Sequence, residues 1–187
     1  MSGSRWCLCA SVLVSCLIAV LSCGGDPSGP DEITPDSAWM AVERLRTAYE
    51  EMDVDLFRDC LDGDFEYQYY DFEISEWLHW GLEYEELCHD SLLCVDHVDH
   101  IELIFAGNTD LPWSGAAGDT TIRELTRTFD LNVYTGPGMG YHAQGTVVFV
   151  CRPDSTGFYR IWQWTDESDF ENALESVTWP DLKRAFL

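Results

Sequence analysis

The sequence has few cations and no long apolar run. Only 10 of its 187 residues are Lys or Arg, against 34 Asp and Glu, and the formal net charge is −24 at pH 7. A surface this acidic repels nucleic acid, so we expect no nucleic-acid partner. The one extended apolar stretch covers about 15 residues, fewer than the roughly 20 needed for a helix that spans a bilayer. A hydrophobic content of 46% nevertheless excludes a disordered acidic tail.

Familiar catalytic and nucleotide-binding motifs are also missing. The chain has no Ser-His-Asp order, no glycine loop that would cradle phosphate and no nucleotide motif. Residues 136–140 are rich in glycine, but they lie between two predicted strands and are interpreted as a hairpin loop. These absences leave no cofactor to predict.

One stretch is rich in residue types that ligate metals: Cys88, His89, Cys94, His97 and His100. Its spacing matches no standard zinc pattern, and its last two histidines would point to opposite faces of a strand. The acidic run between residues 53 and 64 lacks the glycine and the final glutamate that a calcium loop requires. We therefore predict no metal site.

The first 22 residues have the pattern of a secretory signal. Arg5 supplies one positive charge, residues 7–21 are apolar or small, and small residues surround Cys23. The segment Val20-Leu21-Ser22-Cys23 resembles the bacterial lipoprotein box. This resemblance implies cleavage before Cys23, a diacylglycerol on its thiol and a stable membrane anchor of two or more acyl chains. A signal peptide cut elsewhere, or an uncleaved span, is the alternative.

The predicted location is therefore the bacterial cell envelope, with the membrane as a partner through the lipid anchor. Gly24, rather than Asp, follows the cysteine and favours the outer membrane over the inner one. Residues 23–35 are interpreted as the lipidated cysteine and a flexible tether rich in Gly and Pro, with a reach of about 20 Å. A single domain is predicted for residues 36–187.

Four further cysteines belong to the predicted domain: Cys60, Cys88, Cys94 and Cys151. In an oxidising envelope they could form two disulfides, with three possible pairings. Cys88–Cys94 could close a short loop and leave Cys60–Cys151. Buried free thiols that pack as small hydrophobic groups are the alternative.

Hydrophobic periodicity predicts helices, then a strand, a helix and four long strands. Thr34 and Pro35 are expected to begin the first helix, and Asp53 to cap the second. The third helix is expected to place Tyr84, Leu87 and Cys88 on its buried face. The predicted elements are helices over 35–52, 54–61 and 82–93, strands near 65–69, 98–106, 122–134, 143–152 and 158–165, an irregular aromatic stretch at 73–80, and a short last helix over 178–186.

This α+β order resembles the nuclear transport factor 2-like superfamily, which includes SnoaL-like and ketosteroid-isomerase-like domains. The resemblance depends on AVERLRTAYEEMDVDLFRDCLDGDFEY near the start and on GFYRIWQWTDES near the end. It implies a cone: a curved antiparallel sheet packed on N-terminal helices, with an apolar pocket at the wide end. It also implies dimerisation through the sheet face, so a homodimer is a possible partner state.

Aromatic residues on the strands and the third helix are the candidates to line that pocket and bind a small apolar ligand. Packing in the core is the alternative for each of them. Trp162 and Trp164 are expected to share one face of the last strand. The predicted lining residues are Tyr67, Tyr69, Trp80, Tyr84, Trp162 and Trp164.

An acid–base enzyme of the ketosteroid-isomerase or polyketide-cyclase type is the second hypothesis. Such chemistry needs a carboxylate base in an apolar pocket and a donor that faces the developing oxyanion. Tyr67 or Tyr69 could donate, but the nearby acids Glu66 and Asp71 are expected to face solvent, so the catalytic residues are unknown. The leading hypothesis is a non-catalytic envelope lipoprotein that binds a small apolar ligand or acts as an interaction module.

Overall fold

The computed structural model describes residues 34–115, 119–167 and 177–187. The predicted signal peptide, Cys23 and the tether up to residue 33 lie outside the described residues. No helix in the described part is both long and apolar enough to cross a bilayer. The described elements, in chain order, are α1 (Ala38–Glu50), α2 (Val54–Cys60), β1 (Leu61–Asp71), β2 (Glu76–Gly81), α3 (Leu82–Leu92), β3 (His100–Pro112), β4 (Arg123–Gly136), β5 (Met139–Pro153), β6 (Tyr159–Glu167) and α4 (Trp179–Ala185).

The first two helices begin at side-chain caps. Ser37 caps α1, since its hydroxyl accepts a hydrogen bond from the amide of Met40. The prediction that Thr34 and Pro35 begin this helix was therefore wrong; the Pro35 carbonyl instead accepts from the amide of Tyr159, at the start of β6. The predicted cap of α2 is confirmed, because the Asp53 carboxylate accepts from the amide of Leu56 at 2.9 Å.

The six strands form one sheet in the order β2-β1-β6-β5-β4-β3. Four neighbouring pairs are antiparallel, as predicted, but β1 and β6 run parallel. The sheet also includes β2, where an irregular stretch was predicted. Because β2 is an edge strand with only Leu78 and Trp80 half-buried, its alternation between apolar and polar residues is weak.

A bulge in β6 separates the two tryptophans that were expected to share a face. Ile161 pairs with Cys151 and Gln163 pairs with Val150, so Trp162 is an extra residue with no partner on β5. An extra residue reverses the alternation of the strand. Trp164 consequently lies in the core, whereas Trp162 contacts Trp113, with ring centroids 5.1 Å apart.

The core lies between the sheet and the helices, and α4 closes it at the carboxyl end. Thr178 caps α4, and Trp179, Leu182 and Lys183 are fully buried. The Trp179 ring lies 4.6 Å from the ring of Trp164 and 4.5 Å from that of Phe129. The last helix therefore fills the interior of the cone with its own side chains.

The face of the sheet that points away from this core is polar. On β4, buried residues alternate with half-buried or exposed ones: Thr126, Thr128, Asp130 and Asn132. Ile104 of β3, which pairs with Asp130, is 60% exposed on the same face. The homodimer through the sheet face therefore stays a prediction.

The four cysteines of the described domain are free thiols, so neither predicted disulfide is present. The Cys60 thiol donates a hydrogen bond to the Leu56 carbonyl of its own helix, at 3.2 Å. Cys88 lies on the buried side of α3, while Cys94 follows the helix and is half-buried. Burial raises the pKa of Cys60 to about 12 and that of Cys88 to about 11, so both behave as inert packing groups.

Candidate functional site

The helix α3 buries a carboxylate and an imidazole. Glu85 and His89 are fully buried, whereas Tyr84 and Leu87 are 38% and 54% exposed. The predicted buried face, with Tyr84 and Leu87 inside, was therefore wrong by about one residue around the helix. The two polar residues lie inside because neighbouring elements supply their partners, which hydrophobicity along α3 alone does not reveal.

The partner of Glu85 is a lysine from the other end of the domain. The Lys183 ammonium lies 2.6 Å from one Glu85 oxygen, and the Trp80 indole donates to the other oxygen, also at 2.6 Å. The same ammonium lies 3.5 Å from the ring centre of Tyr67 and 3.9 Å from that of Trp164. Together these five residues form a unit that we call the lysine cage.

The lysine cage is fully desolvated on its ionic side, since Glu85 and Lys183 have no exposed surface. Burial lowers the pKa of Lys183, and the neighbouring Glu85 carboxylate opposes that shift. A short ion pair with further hydrogen bonds and ring faces is the arrangement that a buried charge pair needs.

His89 belongs to a second branch of the same interior. Its ring stacks on Phe57 at 3.7 Å, and its Nδ1 lies 2.9 Å from the Glu85 carbonyl oxygen. Nε2 bonds to the hydroxyl of Tyr49, which also accepts from the Trp179 indole at 3.1 Å. These partners assign the proton to Nδ1, which donates to the carbonyl, while Nε2 accepts from Tyr49.

Burial lowers the pKa of His89 to about 4, and it raises that of Tyr49 well above its ordinary value. Both groups are therefore neutral at physiological pH. The side-chain polar atoms of His89, Tyr49 and Glu85 all have protein partners. The interior thus contains acid–base groups, but each is held by a neighbour and covered by α4.

A cavity that opens to solvent lies next to this interior. It has a volume of about 230 Å³, and we call it the mouth groove. Its residues come from the end of β1, the start of β2, the end of β6 and the start of α4. They are Tyr69, Tyr70, Phe72, Trp77, Asp166, Glu167, Thr178 and Pro180.

Aromatic rings form one wall of the mouth groove. Phe72 is 40% exposed and Trp77 is 54% exposed, and the ring of Tyr70 lies 4.9 Å and 5.7 Å from theirs. Carboxylates lie on another wall, where the nearly buried Asp166 accepts a hydrogen bond from the Tyr67 hydroxyl at 3.2 Å. Tyr67 therefore contacts both the lysine cage and the acid that borders the groove.

The structure separates the six residues that were predicted to line a pocket. Among them, Tyr69 alone borders the mouth groove. Three lie in or against the core beneath it: Tyr67, Trp80 and Trp164. The remaining two lie elsewhere: Tyr84 on the exposed side of α3 and Trp162 beside Trp113. Tyr84 borders a separate shallow hollow with Leu87.

The residues that resembled metal ligands are not brought together. Cys88 and His89 are buried in the core, whereas His97 and His100 are exposed. No group of three or more metal-ligand side chains occurs among the described residues.

Sequence reasoning missed most of the residues that build the interior and the groove. His89 was considered only as a metal ligand. The missed residues are Glu85, Trp179 and Lys183 in the interior, and Phe72, Trp77 and Asp166 at the groove. A usable signal existed for α4, because Trp179 and Lys183 lie on one face of a helix with a clear cap. No such signal links Lys183 to Glu85, since 98 residues separate them.

Comparison with known proteins shows which kind of fold the domain has. No protein-family model and no curated protein matches the sequence. A solved protein of unknown function from Mycobacterium tuberculosis is similar in structure, with a TM-score of 0.55, 10% identity, and 78% of this chain and 80% of that chain covered. A conserved protein from Planctomyces limnophilus gives a TM-score of 0.54 and 12% identity over 68% of this chain and 89% of that one.

A third solved structure identifies the kind of fold. It is a nuclear transport factor 2-like superfamily protein from Salmonella enterica, with a TM-score of 0.51, 9% identity, and 71% of this chain and 88% of that chain covered. At these identities the likeness establishes the fold alone. The domain has the nuclear transport factor 2-like fold, a curved sheet packed on helices.

Proposed function

We propose that this protein is a lipid-anchored envelope protein whose domain binds a small apolar molecule in the mouth groove without transforming it. The single observation that carries the proposal is the division of the site. Four of the eight residues that border the open groove are aromatic, while the acid–base groups beneath it are bound to one another and covered by α4. Exposed rings in a concave surface favour binding of an apolar ligand.

The groove is large enough for a small ligand and not for an extended one. Its volume of about 230 Å³ lies below the range of about 300–1,000 Å³ that is usual for drug-sized ligands. Phe72 and Trp77 offer flat apolar faces, and Glu167 offers a carboxylate that can orient what binds.

The binding test uses the full chain in lipid nanodiscs with ¹⁵N-labelled tryptophan, and benzyl alcohol as a neutral aromatic probe. The indole N–H resonance of Trp77, assigned from a Trp77→Phe variant, is expected to shift saturably with the probe. The resonance of Trp113, which is outside the groove, is expected to stay in place. A shift that is equal at both positions, or no saturable shift, would contradict binding in the groove.

A matched pair of variants locates the contact. Phe72 and Phe158 are 40% and 39% exposed, but Phe72 alone lines the groove. Phe72→Ala is expected to weaken binding of the probe about three- to tenfold, the value of one aromatic contact. Phe158→Ala is expected to leave the affinity unchanged.

The anchor is tested separately. Cys23 is the proposed attachment point, and the acidic domain would stand away from anionic headgroups on its tether. Labelled palmitate is expected to enter the wild-type protein and not Cys23→Ser, and the variant is expected to lose its signal cleavage. Label in the variant would contradict the lipoprotein proposal without affecting the groove.

One observation favours the second candidate, an acid–base enzyme. Asp166 borders the groove and has the Tyr67 hydroxyl as a donor at 3.2 Å, which places a carboxylate beside a phenol. The test is exchange of the α-hydrogens of 2-tetralone with deuterium in D₂O. Loss of protein-dependent exchange in Asp166→Asn, but not in Asp71→Asn, would establish catalysis.

A further inference from the structure

The lysine cage shows how this fold holds a cation. An ammonium is placed against two ring faces, those of Tyr67 and Trp164, with a carboxylate at 2.6 Å. Ring faces attract cations through the negative potential of their π electrons, and a carboxylate adds a direct charge. The cation in the cage is supplied by the chain itself.

The mouth groove has the same two components next to the cage. Tyr69 lines the groove, and its ring lies 6.0 Å from the ring of Tyr67. The rings of Tyr70 and Trp77 and the carboxylates of Asp166 and Glu167 border one space. The groove thus combines ring faces with carboxylates as the cage does, but these groups surround a cavity instead of a lysine.

Charge around the groove favours a cation as the occupant. β1 ends at Asp71, the segment that joins it to β2 carries Glu73, and β2 begins at Glu76. The two cations of α4 are already paired, Lys183 with Glu85 and Arg184 with Asp181 at 2.7 Å. With a net charge of −24, the whole chain adds a field that concentrates cations.

We infer that the mouth groove binds an organic cation, a protonated amine or a quaternary ammonium carried on an apolar body. This inference rests on the proposed function, since it names the class of apolar ligand. The apolar body covers Phe72 and Trp77, and the positive group lies between the rings and the carboxylate of Glu167. A neutral ligand of the same shape makes the apolar contacts alone, and an anion meets repulsion.

The test compares three probes of similar size on the full chain in nanodiscs. They are benzyltrimethylammonium, its neutral carbon isostere neopentylbenzene, and phenylacetate as the anion. The shift of the Trp77 indole resonance reports binding. The cation is expected to bind about tenfold more tightly than the neutral isostere, and the anion more weakly than either. The advantage of the cation is expected to shrink as salt is added.

A charge-matched pair of variants gives a second readout. Glu167→Gln removes a carboxylate of the groove and is expected to weaken binding of the cation about threefold, with the neutral isostere unaffected. Glu124→Gln removes the same charge from the start of β4, where Glu124 pairs with Val150, and is expected to change neither affinity.

The outcomes separate this inference from the proposal beneath it. Equal affinity for the cation and the neutral isostere would overturn the cation preference and leave an apolar binding groove. An unchanged affinity of Glu167→Gln for the cation would overturn the placement of the positive group beside Glu167. Failure of both the cation and the neutral probes to shift Trp77 would overturn the binding function as well.

Discussion

The lysine cage and the mouth groove use the same chemical parts for opposite purposes. In the cage, rings and a carboxylate surround an ammonium that the chain supplies, with no exposed surface on Lys183 or Glu85. In the groove, rings and carboxylates border a cavity, and Trp77 is 54% exposed. We expect the cage to serve folding, because its cation is fixed by the chain, and we propose that the groove serves recognition.

A hydrogen bond joins the two regions. The Tyr67 ring packs under the Lys183 ammonium, and its hydroxyl donates to Asp166, which borders the groove. Burial and the nearby Asp166 carboxylate raise the pKa of Tyr67, so it stays a protonated donor. Tyr67 therefore links the cage to the border of the groove, and Tyr69 does so as well, with its ring 6.0 Å from that of Tyr67 and 5.1 Å from that of Trp80.

The largest expected effect comes from removing the ion pair of the cage. Lys183→Met leaves the Glu85 carboxylate buried without a cation, and we expect a loss of about 3–5 kcal/mol in the free energy of unfolding, measured with urea. Arg184→Met, one residue later on the exposed side of α4, is expected to stay within about 0.5 kcal/mol.

The double variant Glu85→Leu with Lys183→Met distinguishes a lost ion pair from lost packing. Because it removes the uncompensated charge, it is expected to recover most of the stability that the single variant loses. Wild-type stability of Lys183→Met alone would show that the cage does not serve folding.

Low pH is expected to give the next largest loss of stability, because the unfolded chain protonates His89 more readily than the folded protein. The pKa of His89 is about 4 in the folded protein against an ordinary value of 6.5, so the unfolded chain binds the proton more readily between those values. The contribution of His89 to the free energy of unfolding is therefore fully present above pH 6.5. It is lost as the pH falls to 4, by up to about 3 kcal/mol.

The measurement is urea unfolding at several pH values in three proteins. His89→Gln is expected to remove that part of the pH dependence, while the exposed His97→Gln is expected to keep it. The contribution of His89 is the difference between wild type and variant, because carboxylates also make the free energy of unfolding depend on pH. Parallel curves for wild type and His89→Gln would contradict a buried neutral imidazole.

The sequence predicted the elements of this fold far better than the partners within it. Periodicity located α1, α2 and the four long strands because each of them buries one regular face. It failed at α3, where Glu85 and His89 face inward, since a partner 98 residues away, Lys183, makes that burial possible. It failed again at Trp162, where a bulge reverses the alternation.

The candidate site was less predictable for the same physical reason. The sequence correctly indicated that the strands are rich in aromatic residues. It did not indicate which of these residues are exposed and therefore border a cavity. Tyr67 and Trp164 pack beneath α4, whereas Phe72 and Trp77 lie at an edge that periodicity did not recognise as a strand. An edge strand with little buried surface leaves a weak pattern.

The same substitution in the buried His89 branch beside the cage and in the groove sharpens the comparison. Tyr49→Phe removes the hydroxyl that accepts from Trp179 and bonds to His89, and leaves both groups buried without it. We expect a loss of about 1–2 kcal/mol in the free energy of unfolding. Tyr70→Phe in the groove is expected to change it by less than about 0.5 kcal/mol. Equal losses would contradict the division between folding and recognition.

The smallest expected effect concerns a cation that the groove already has nearby. The Arg184 guanidinium lies 5.5 Å from the ring centre of Tyr69, so it competes for a ring face that a ligand cation would use. Arg184→Gln is expected to strengthen binding of benzyltrimethylammonium about twofold, with no change for neopentylbenzene. Arg58→Gln, which alters the net charge equally but lies on α2, is expected to have no such effect. Because Arg184 is exposed and Lys183 is not, removing the first tunes recognition, whereas removing the second disrupts the fold.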